Sequence, residues 1–191
     1  KKFNHLIKKP NLDELIFCYL GTTDGAYDLE ISLNIYLKFK IKWKNSKIKI
    51  ITKDNTDKIM LIINRLNINY NDYEIIDLNS DDVSSVLSKI DIGLFFLKEN
   101  LSIIASFPTK IAEFFILNKP IICNNFNKDI SEILSSDMGM IINSPDELTD
   151  RKINNFKDII INNFNNKYCK KYAIENLTNS QIINTIFDSY K

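Results

Sequence analysis

The chain has 191 residues, of which 45% are hydrophobic, and its formal net charge at pH 7 is +1. This length accommodates one well-buried domain with additional helices and argues against a second domain of similar size. The near-neutral charge, with Arg65 and Arg151 as the only arginines, argues against a nucleic-acid-binding surface.

No apolar run of the sequence is long enough to span a bilayer, and the N-terminus does not resemble a signal peptide. We therefore expect a cytoplasmic protein that contacts the inner face of a membrane, if at all, as a peripheral part of a longer protein. The chain begins with Lys1 rather than methionine, and we expect it to be a fragment of such a protein.

The three cysteines, Cys18, Cys123 and Cys169, are odd in number and far apart, and His5 is the single histidine. These residues show no spacing typical of a metal site or of a disulfide framework. We expect the cysteines to pack in the core, and we expect no metal site.

Short apolar runs alternate with longer amphipathic segments along residues 13–148, which is the pattern of βαβ units on a parallel sheet. Six strands are predicted, at residues 15–20, 47–52, 73–78, 92–97, 120–123 and 138–142. Helices are predicted between them, at residues 27–43, 56–66, 81–89, 108–117 and 129–135. The predicted fold is α/β, a doubly wound, mainly parallel six-stranded sheet with helices on both faces.

The end of the chain, residues 149–191, changes character and contains no further predicted strand. Three helices are predicted there, at residues 150–163, 166–177 and 180–190. We divide the chain into an N-terminal extension (1–12), a Rossmann-like, donor-binding domain (13–148) and these C-terminal helices (149–191), which we expect to pack toward an N-terminal domain outside this chain. The last helix carries apolar residues that would pack either on the sheet domain or on a partner domain outside this chain.

The loop after the first strand, residues 21–28, is the first candidate for a ligand site, because ligands of open α/β sheets bind at the carboxyl ends of the strands. Gly21 would let the backbone approach a ligand closely, and Thr22 could donate a hydrogen bond to a phosphate. The following helix begins near Asp28 and aims its amide groups in the same direction. The alternative is a tight strand-to-helix turn with Asp24 or Asp28 as the helix cap.

The helix predicted at residues 108–117 carries the second candidate. Ser106 is suited to cap this helix, and Lys110 and Glu113 fall on one side of its first turns. A lysine at the positive end of a helix is disfavoured unless an anion, such as a diphosphate, binds beside it. Glu113 could accept hydrogen bonds from sugar hydroxyls, and Ser106 and Thr109 could donate to a phosphate. The alternative for Lys110 and Glu113 is an ion pair on the helix surface.

Residues 106–123 resemble a signature of the C-terminal domain of GT-B glycosyltransferases of family 4, those that build bacterial surface polysaccharides. The family signature is Ser-Pro-Thr-Lys-x-x-Glu-Tyr-Leu-Ala-x-Gly-x-Pro-Val-Ile. Two departures from it are Phe107, which is inserted, and Asn118, which replaces a glycine. Because asparagine is the usual substitute for glycine in the left-handed conformation that ends a helix, we predict that conformation at Asn118.

Residues 19–28 also resemble a loop of this family, Tyr-x-Gly-Ser-x-Gly-x-Trp-Tyr-Asp, with Tyr19 at the aromatic position. The loop lacks the Arg and Lys with which many members hold the diphosphate. Glu113 matches the second of two glutamates seen in much of the family, whereas Ala105 stands in place of the first.

The resemblance implies the Rossmann-like, nucleotide-sugar-binding domain of a retaining glycosyltransferase of the hexosyltransferase type. Its donor would be a nucleotide-diphosphate sugar, with no metal or other cofactor. Lys110 would neutralise the leaving diphosphate, and Glu113 would hold ribose hydroxyls. The glycan or lipid-linked acceptor would be bound by an N-terminal domain that this chain lacks, so the chain alone would bind the donor without turnover.

Two other functions use related architectures. A signalling receiver domain is also a doubly wound sheet, and Asp77 and the Lys119-Pro120 pair are similar to parts of a receiver domain. However, a receiver domain needs an acidic pair just after the first strand, whereas Asp13 and Glu14 precede that strand here. A sugar-nucleotide epimerase of GT-B architecture would share the cleft, but the signature fits a transferase better.

Overall fold

A six-stranded, all-parallel sheet forms the centre of the protein in a computed structural model, which describes residues 9–23, 25–77, 83–98, 109–126 and 128–177. The strands are β1 (Ile16–Leu20), β2 (Lys47–Thr52), β3 (Tyr73–Asp77), β4 (Ile92–Phe95), β5 (Ile121–Cys123) and β6 (Gly139–Ile141). Their order across the sheet is β3-β2-β1-β4-β5-β6, and every neighbouring pair is parallel. The six predicted strands and the predicted sheet are confirmed.

Helices cover both faces of this sheet. They are α1 (Leu29–Lys42), α2 (Thr56–Arg65), α3 (Val83–Ser88), α4 (Thr109–Ile116), α5 (Lys128–Ile133), α6 (Asp150–Asn166) and α7 (Tyr168–Asn176), with 3-10 turns at Tyr70–Asp72 and Pro145–Glu147. One layer contains α1, α2 and α6, and the other contains α3, α4, α5 and α7. Within the described ranges, no helix combines the length and the apolar character needed to cross a membrane.

The side chains of β1 alternate between two buried cores. Phe17 and Tyr19 belong to the core under α1, α2 and α6, whereas Cys18 and Leu20 belong to the core under α3, α4, α5 and α7. Because helices bury both faces, the central strands read as continuous apolar runs instead of alternating with polar residues. All three cysteines are free and buried, so their predicted place in the core is confirmed.

The strand order reverses direction between β1 and β4, which lie side by side in the middle of the sheet. Such a switch point leaves a crevice at the carboxyl ends of the two strands, because the connections leave to opposite faces. A receiver domain has the order 2-1-3-4-5 instead, so the observed topology excludes the receiver alternative.

The C-terminal helices α6 and α7 pack on the sheet domain. Phe156 of α6 lies with its ring centroid 5.8 Å from that of Phe39 in α1. On the other face, Tyr172 of α7 meets Phe115 of α4 edge to face, with 6.1 Å between centroids. The helix predicted at residues 180–190 lies outside the described residues, and the domain division of the chain stays a prediction.

A reciprocal pair of buried asparagines joins α4 to both C-terminal helices. Asn118 ends α4 with a φ of 60°, the predicted left-handed conformation. Its side-chain Nδ2 donates to the Asn163 carbonyl (3.1 Å), and Nδ2 of Asn163 donates to the Asn118 carbonyl (2.9 Å). Oδ1 of Asn163 accepts the amide of Cys169 (2.9 Å), and Oδ1 of Asn118 accepts the amide of Lys170 (3.3 Å). The pair therefore fixes where α7 begins.

Asn163→Ala is expected to lower the free energy of unfolding by about 1–3 kcal/mol, because it leaves the buried Asn118 carbonyl and Cys169 amide without these partners. Urea unfolding measures the change. Asn162→Ala, at an exposed position of the same helix, serves as the control and should change stability by less than about 0.5 kcal/mol. Equal losses in the two variants would contradict a structural role for the pair.

Candidate functional site

The loop between β1 and α1 is fastened to the end of β4 by main-chain pairing. An antiparallel bridge joins Tyr27 to Leu97, and it is flanked by hydrogen bonds from the Lys98 amide to the Ala26 carbonyl (2.7 Å) and from the Asp28 amide to the Phe96 carbonyl (2.8 Å). The loop therefore lies over the crevice between β1 and β4 in a fixed position, rather than as a free connection.

Asn124, directly after β5, holds the same segment of β4 from the other side. Its Oδ1 accepts the Leu97 amide (3.0 Å), and its Nδ2 donates to the Leu97 carbonyl (2.7 Å). One side chain thus satisfies both main-chain groups of Leu97, beyond the last residue of β4. Three neighbouring strand ends are tied together in this way.

The ring of Tyr27 lies against the backbone of Gly21. A Cβ atom at Gly21 would lie 2.9 Å from Cγ of this ring, so only glycine leaves room for it. Phe95 meets the ring edge to face, with 5.5 Å between centroids and 83° between planes. The aromatic ring of Tyr27 makes one close approach that Gly21 permits, and the approach of a ligand there stays a prediction.

Lys110 lies in the first turn of α4 with its Nζ 4.1 Å from the centroid of the Tyr27 ring. Its side chain is half-buried. Burial lowers the pKa of Lys110 below its ordinary value, and the negative charges of Glu113 and Asp54 oppose that change. Lys110 is therefore a partly desolvated cation that lies over an aromatic ring and is within electrostatic range of two carboxylates.

Glu113, one turn further along α4, is half-buried as well. Its negative charge affects the pKa values of Tyr27 and Cys18. Burial raises the pKa of Tyr27, and the charge of Glu113 raises it further. Burial is also the main cause of the raised pKa of the Cys18 thiol, to which Glu113 adds. The Glu113 carboxylate is therefore within electrostatic range of β1 and of the loop that follows it.

Asp54, just after β2, contributes a second carboxylate. One oxygen of this side chain accepts hydrogen bonds from both the amide and the hydroxyl of Thr23, the latter at 2.7 Å. Asp54 thereby ties the loop after β2 to the loop after β1. The negative charge of Asp54 also opposes the lowering of the Lys110 pKa that burial causes.

The remaining part of the loop is ordered by Tyr19 and Asp28. The hydroxyl of the buried Tyr19 donates to the carbonyl of Thr22 (2.8 Å), and burial raises the Tyr19 pKa, so that this group stays a donor. Asp28 caps α1 by accepting the Ile31 amide (3.0 Å), as one of the sequence alternatives predicts. The side chain of Thr22 is left exposed at the carboxyl edge of the sheet.

No protein-family model matches the sequence, and no curated protein sequence matches it. TarM from S. aureus, in a complex with fondaparinux, alpha-GlcNAc-glycerol and UDP, superposes with a TM-score of 0.68 at 14% identity, over 97% of this chain and 37% of the TarM chain. HepE from Anabaena, in a complex with UDP and glucose, superposes with a TM-score of 0.64 at 12% identity, over 92% of this chain and 48% of the HepE chain.

A third structure covers a shorter protein. The catalytic domain of cholesterol-alpha-glucosyltransferase from Helicobacter pylori superposes with a TM-score of 0.58 at 13% identity, over 84% of this chain and 97% of that one. The present chain thus spans less than half of the TarM and HepE chains and nearly all of this domain. Together with the parallel sheet and its C-terminal helices, these matches decide the architecture.

The fold is that of a GT-B Rossmann-like domain.

Within this GT-B domain, two of the predicted site residues, Gly21 and Lys110, lie against the Tyr27 ring, and the charge of a third, Glu113, raises the pKa of Tyr27 beyond the effect of burial. Thr22 is adjacent to Gly21. Ser106 lies outside the described residues. Thr109 is the first residue of α4, and the hydrogen bond that its hydroxyl is expected to donate stays a prediction. Whether these residues bind a ligand stays a prediction.

Sequence reasoning did not single out Tyr27, Asp54 or Asn124. Tyr27 lies in the loop that resembles the GT-B family, but its sequence position does not reveal that its ring contacts Lys110. The sequence gives a weak indication that Asp54 belongs to the site, since it is an acidic residue just beyond a predicted strand. Asn124 lies in an asparagine-rich segment, where composition gives no reason to prefer one residue.

The chemistry that this edge of the GT-B domain can perform follows from its charges. Lys110 and the first amides of α4 supply positive potential, and the exposed hydroxyl of Thr22 supplies a donor. Glu113 supplies hydrogen-bond acceptors beside the cation. A ligand that carries negative charge next to hydroxyl groups matches this arrangement. Among the described residues, no group of three or more His, Cys, Asp and Glu side chains is placed to hold a metal ion.

Lys110→Met is expected to raise the free energy of unfolding at about pH 7. Burial lowers the pKa of Lys110 in the folded state below the value of 10.5 expected in the unfolded chain. At pH values between these two pKa values, Lys110 binds more protons in the unfolded chain than in the folded protein, so the free energy of unfolding of the wild type rises with pH. The variant lacks this rise, so its advantage should shrink as the pH approaches about 10.5.

Urea unfolding of both proteins at neutral and at alkaline pH measures the difference. Lys171→Met, at an exposed position of α7, is the matched control and should show neither effect. A Lys110→Met variant that is less stable than wild type at neutral pH would mean that the surrounding carboxylates outweigh the cost of burying the ammonium group.

Proposed function

We propose that this chain is the donor-binding half of a retaining glycosyltransferase that transfers a sugar, of the hexose type, from a nucleotide-diphosphate sugar to a glycan or lipid-linked acceptor in surface polysaccharide biosynthesis. The observation that carries the proposal is the meeting of the Gly21 loop with the N-terminal turn of α4 around Tyr27, at the switch point of a GT-B sheet. The presence of UDP in the structures of TarM and HepE supports a nucleotide-sugar ligand.

In this proposal the positive charge of Lys110 stabilises the diphosphate as it leaves. The bond between the anomeric carbon and the diphosphate oxygen breaks, the acceptor hydroxyl oxygen bonds to that carbon and loses its proton, and negative charge grows on the leaving diphosphate oxygen. Lys110 is held in a half-buried position, where its attraction for that charge is stronger than it would be in open water. The dipole of α4 acts in the same direction.

Glu113 is proposed to accept hydrogen bonds from hydroxyl groups of the donor, with the ribose as the most direct candidate. A carboxylate accepts bonds from two neighbouring hydroxyls, and charged acceptors form stronger bonds than neutral ones. Its place beside Lys110 would set the distance between the hydroxyl-bearing and the phosphate-bearing parts of one ligand. Thr22, Thr109 and Ser106 are proposed as further donors to the phosphates.

The acceptor is proposed to bind to an N-terminal domain of a longer protein. This chain covers 37% of TarM and 48% of HepE, which supports a second half of comparable size. The chain alone would then bind the donor nucleotide without transferring the sugar. We further propose that binding needs no metal ion, because Lys110 and the α4 amides supply the positive charge, and that the protein works on the cytoplasmic side of the membrane.

Calorimetric titration with UDP, GDP and ADP, in the presence of a chelator, tests the proposal. One of the three is expected to bind, and Lys110→Met and Glu113→Gln should each weaken that binding by about 1–3 kcal/mol, the usual loss of a hydrogen bond to a charged group. The matched controls are Lys171→Met and Glu132→Gln, which change exposed residues of α7 and α5.

Three results would each contradict a part of the proposal. Binding that responds equally to the site variants and to the control variants would place the nucleotide elsewhere. Binding that appears only after addition of a divalent cation would refute the metal-free scheme. Absence of binding by all three nucleotides at millimolar concentration would refute donor binding by the chain on its own.

A further inference from the structure

Tyr27 is the residue through which the parts of the site touch one another. Its ring contacts the backbone of Gly21, the edge of the Phe95 ring and the ammonium group of Lys110. These contacts come from the residue directly after β1, from β4 and from α4, which are far apart in the sequence. The proposed function assigns no role to Tyr27.

The ring of Tyr27 has little freedom to move. Its main chain is bridged to Leu97, which Asn124 holds through both of its main-chain groups. Phe95, against which the ring packs edge to face, is 1% exposed. Ring and backbone are therefore both anchored to the centre of the sheet.

Lys110, in contrast, reaches the site through a long and flexible side chain. Four methylene groups give a lysine many rotamers, and fixing them costs conformational entropy. The face of an aromatic ring attracts a cation, and Nζ of Lys110 lies 4.1 Å from the ring centroid of Tyr27. The same ammonium group is subject to the charges of Glu113 and Asp54, which alone would attract it without fixing its direction.

We propose that Tyr27 is a positioning residue, whose fixed ring holds the ammonium group of Lys110 in place before a diphosphate binds. This inference rests on the proposed function for the identity of the anion. The ring does not touch the reacting atoms in this scheme. It restricts the side-chain conformations of Lys110 before binding, so that less conformational entropy is lost when the ligand binds.

The first test observes the ring and the lysine directly, without ligand. Protons above the face of an aromatic ring resonate upfield, so the ε-methylene signal of Lys110 should be displaced from those of the other lysines in NMR spectra. Lys110→Arg assigns the signal by removing it. The displacement should persist in Tyr27→Phe, which keeps the ring, and disappear in Tyr27→Leu.

The second test is a double-mutant cycle on the affinity for the one of UDP, GDP and ADP that the wild type binds, measured by calorimetry. Tyr27→Leu and Lys110→Met are each expected to weaken binding roughly tenfold, the range of a partly desolvated cation–π contact. If Tyr27 acts through Lys110, the double variant should bind no more weakly than Lys110→Met alone. Tyr27→Phe should restore most of the binding that Tyr27→Leu loses, and Tyr70→Leu, at an exposed tyrosine, is the control.

The outcomes separate this inference from the proposed function. An undisplaced Lys110 signal in the wild type, or additive losses in the double variant, would overturn the role of Tyr27 while leaving nucleotide binding established. A Tyr27→Phe variant that binds as weakly as Tyr27→Leu would assign the effect to the hydroxyl and overturn the role of the ring. If the wild type binds no nucleotide, the proposed function fails, and the NMR displacement still decides whether Tyr27 holds Lys110.

Discussion

The pairing of residues 26–28 with residues 96–98 is the constraint on which the candidate site depends. In a parallel sheet the loops after adjacent strands need not touch, and here a short antiparallel bridge closes the gap over the switch point. This bridge brings Tyr27 over Gly21 and under the first turn of α4. Without it, the residues of β1 and α4 would share an edge of the sheet but not a common contact.

The charges at this edge are arranged at a cost to the folded domain. Burial removes water from Lys110 and lowers its pKa, whereas the charges of Glu113 and Asp54 raise it. Because the net change is a lowered pKa, the two carboxylates offset the desolvation cost only in part. Groups with shifted pKa values in a crevice are more common at functional sites than elsewhere, because a site that must bind an anion keeps a cation ready for it. The three cysteines of the same domain differ from Lys110, because they are fully buried in their neutral form and serve packing alone.

Much of the fold could be predicted because its determinants are local. Apolar runs that end at turn residues gave the strands, and an asparagine before Lys119-Pro120 gave the left-handed end of α4. The likeness to GT-B proteins, drawn from residues 106–123, agrees with the observed architecture. The contacts of the site could not be predicted in the same way, because they join distant residues. Thr23 meets Asp54 over 31 positions, and Asn124 meets Leu97 over 27, and no short pattern in the sequence records either pair.

The most direct measurement of the central claim uses the four glycines of the chain, which give few and well-separated amide signals in NMR spectra. Gly21 and Gly25 lie in the loop after β1, whereas Gly93 and Gly139 lie within β4 and β6. Titration with the one of UDP, GDP and ADP that the chain binds is predicted to shift the signals of Gly21 and Gly25 in a saturable way and to leave that of Gly139 in place. Saturable shifts that spare both loop glycines would show that the nucleotide binds elsewhere, and would contradict a donor site at the switch point between β1 and β4.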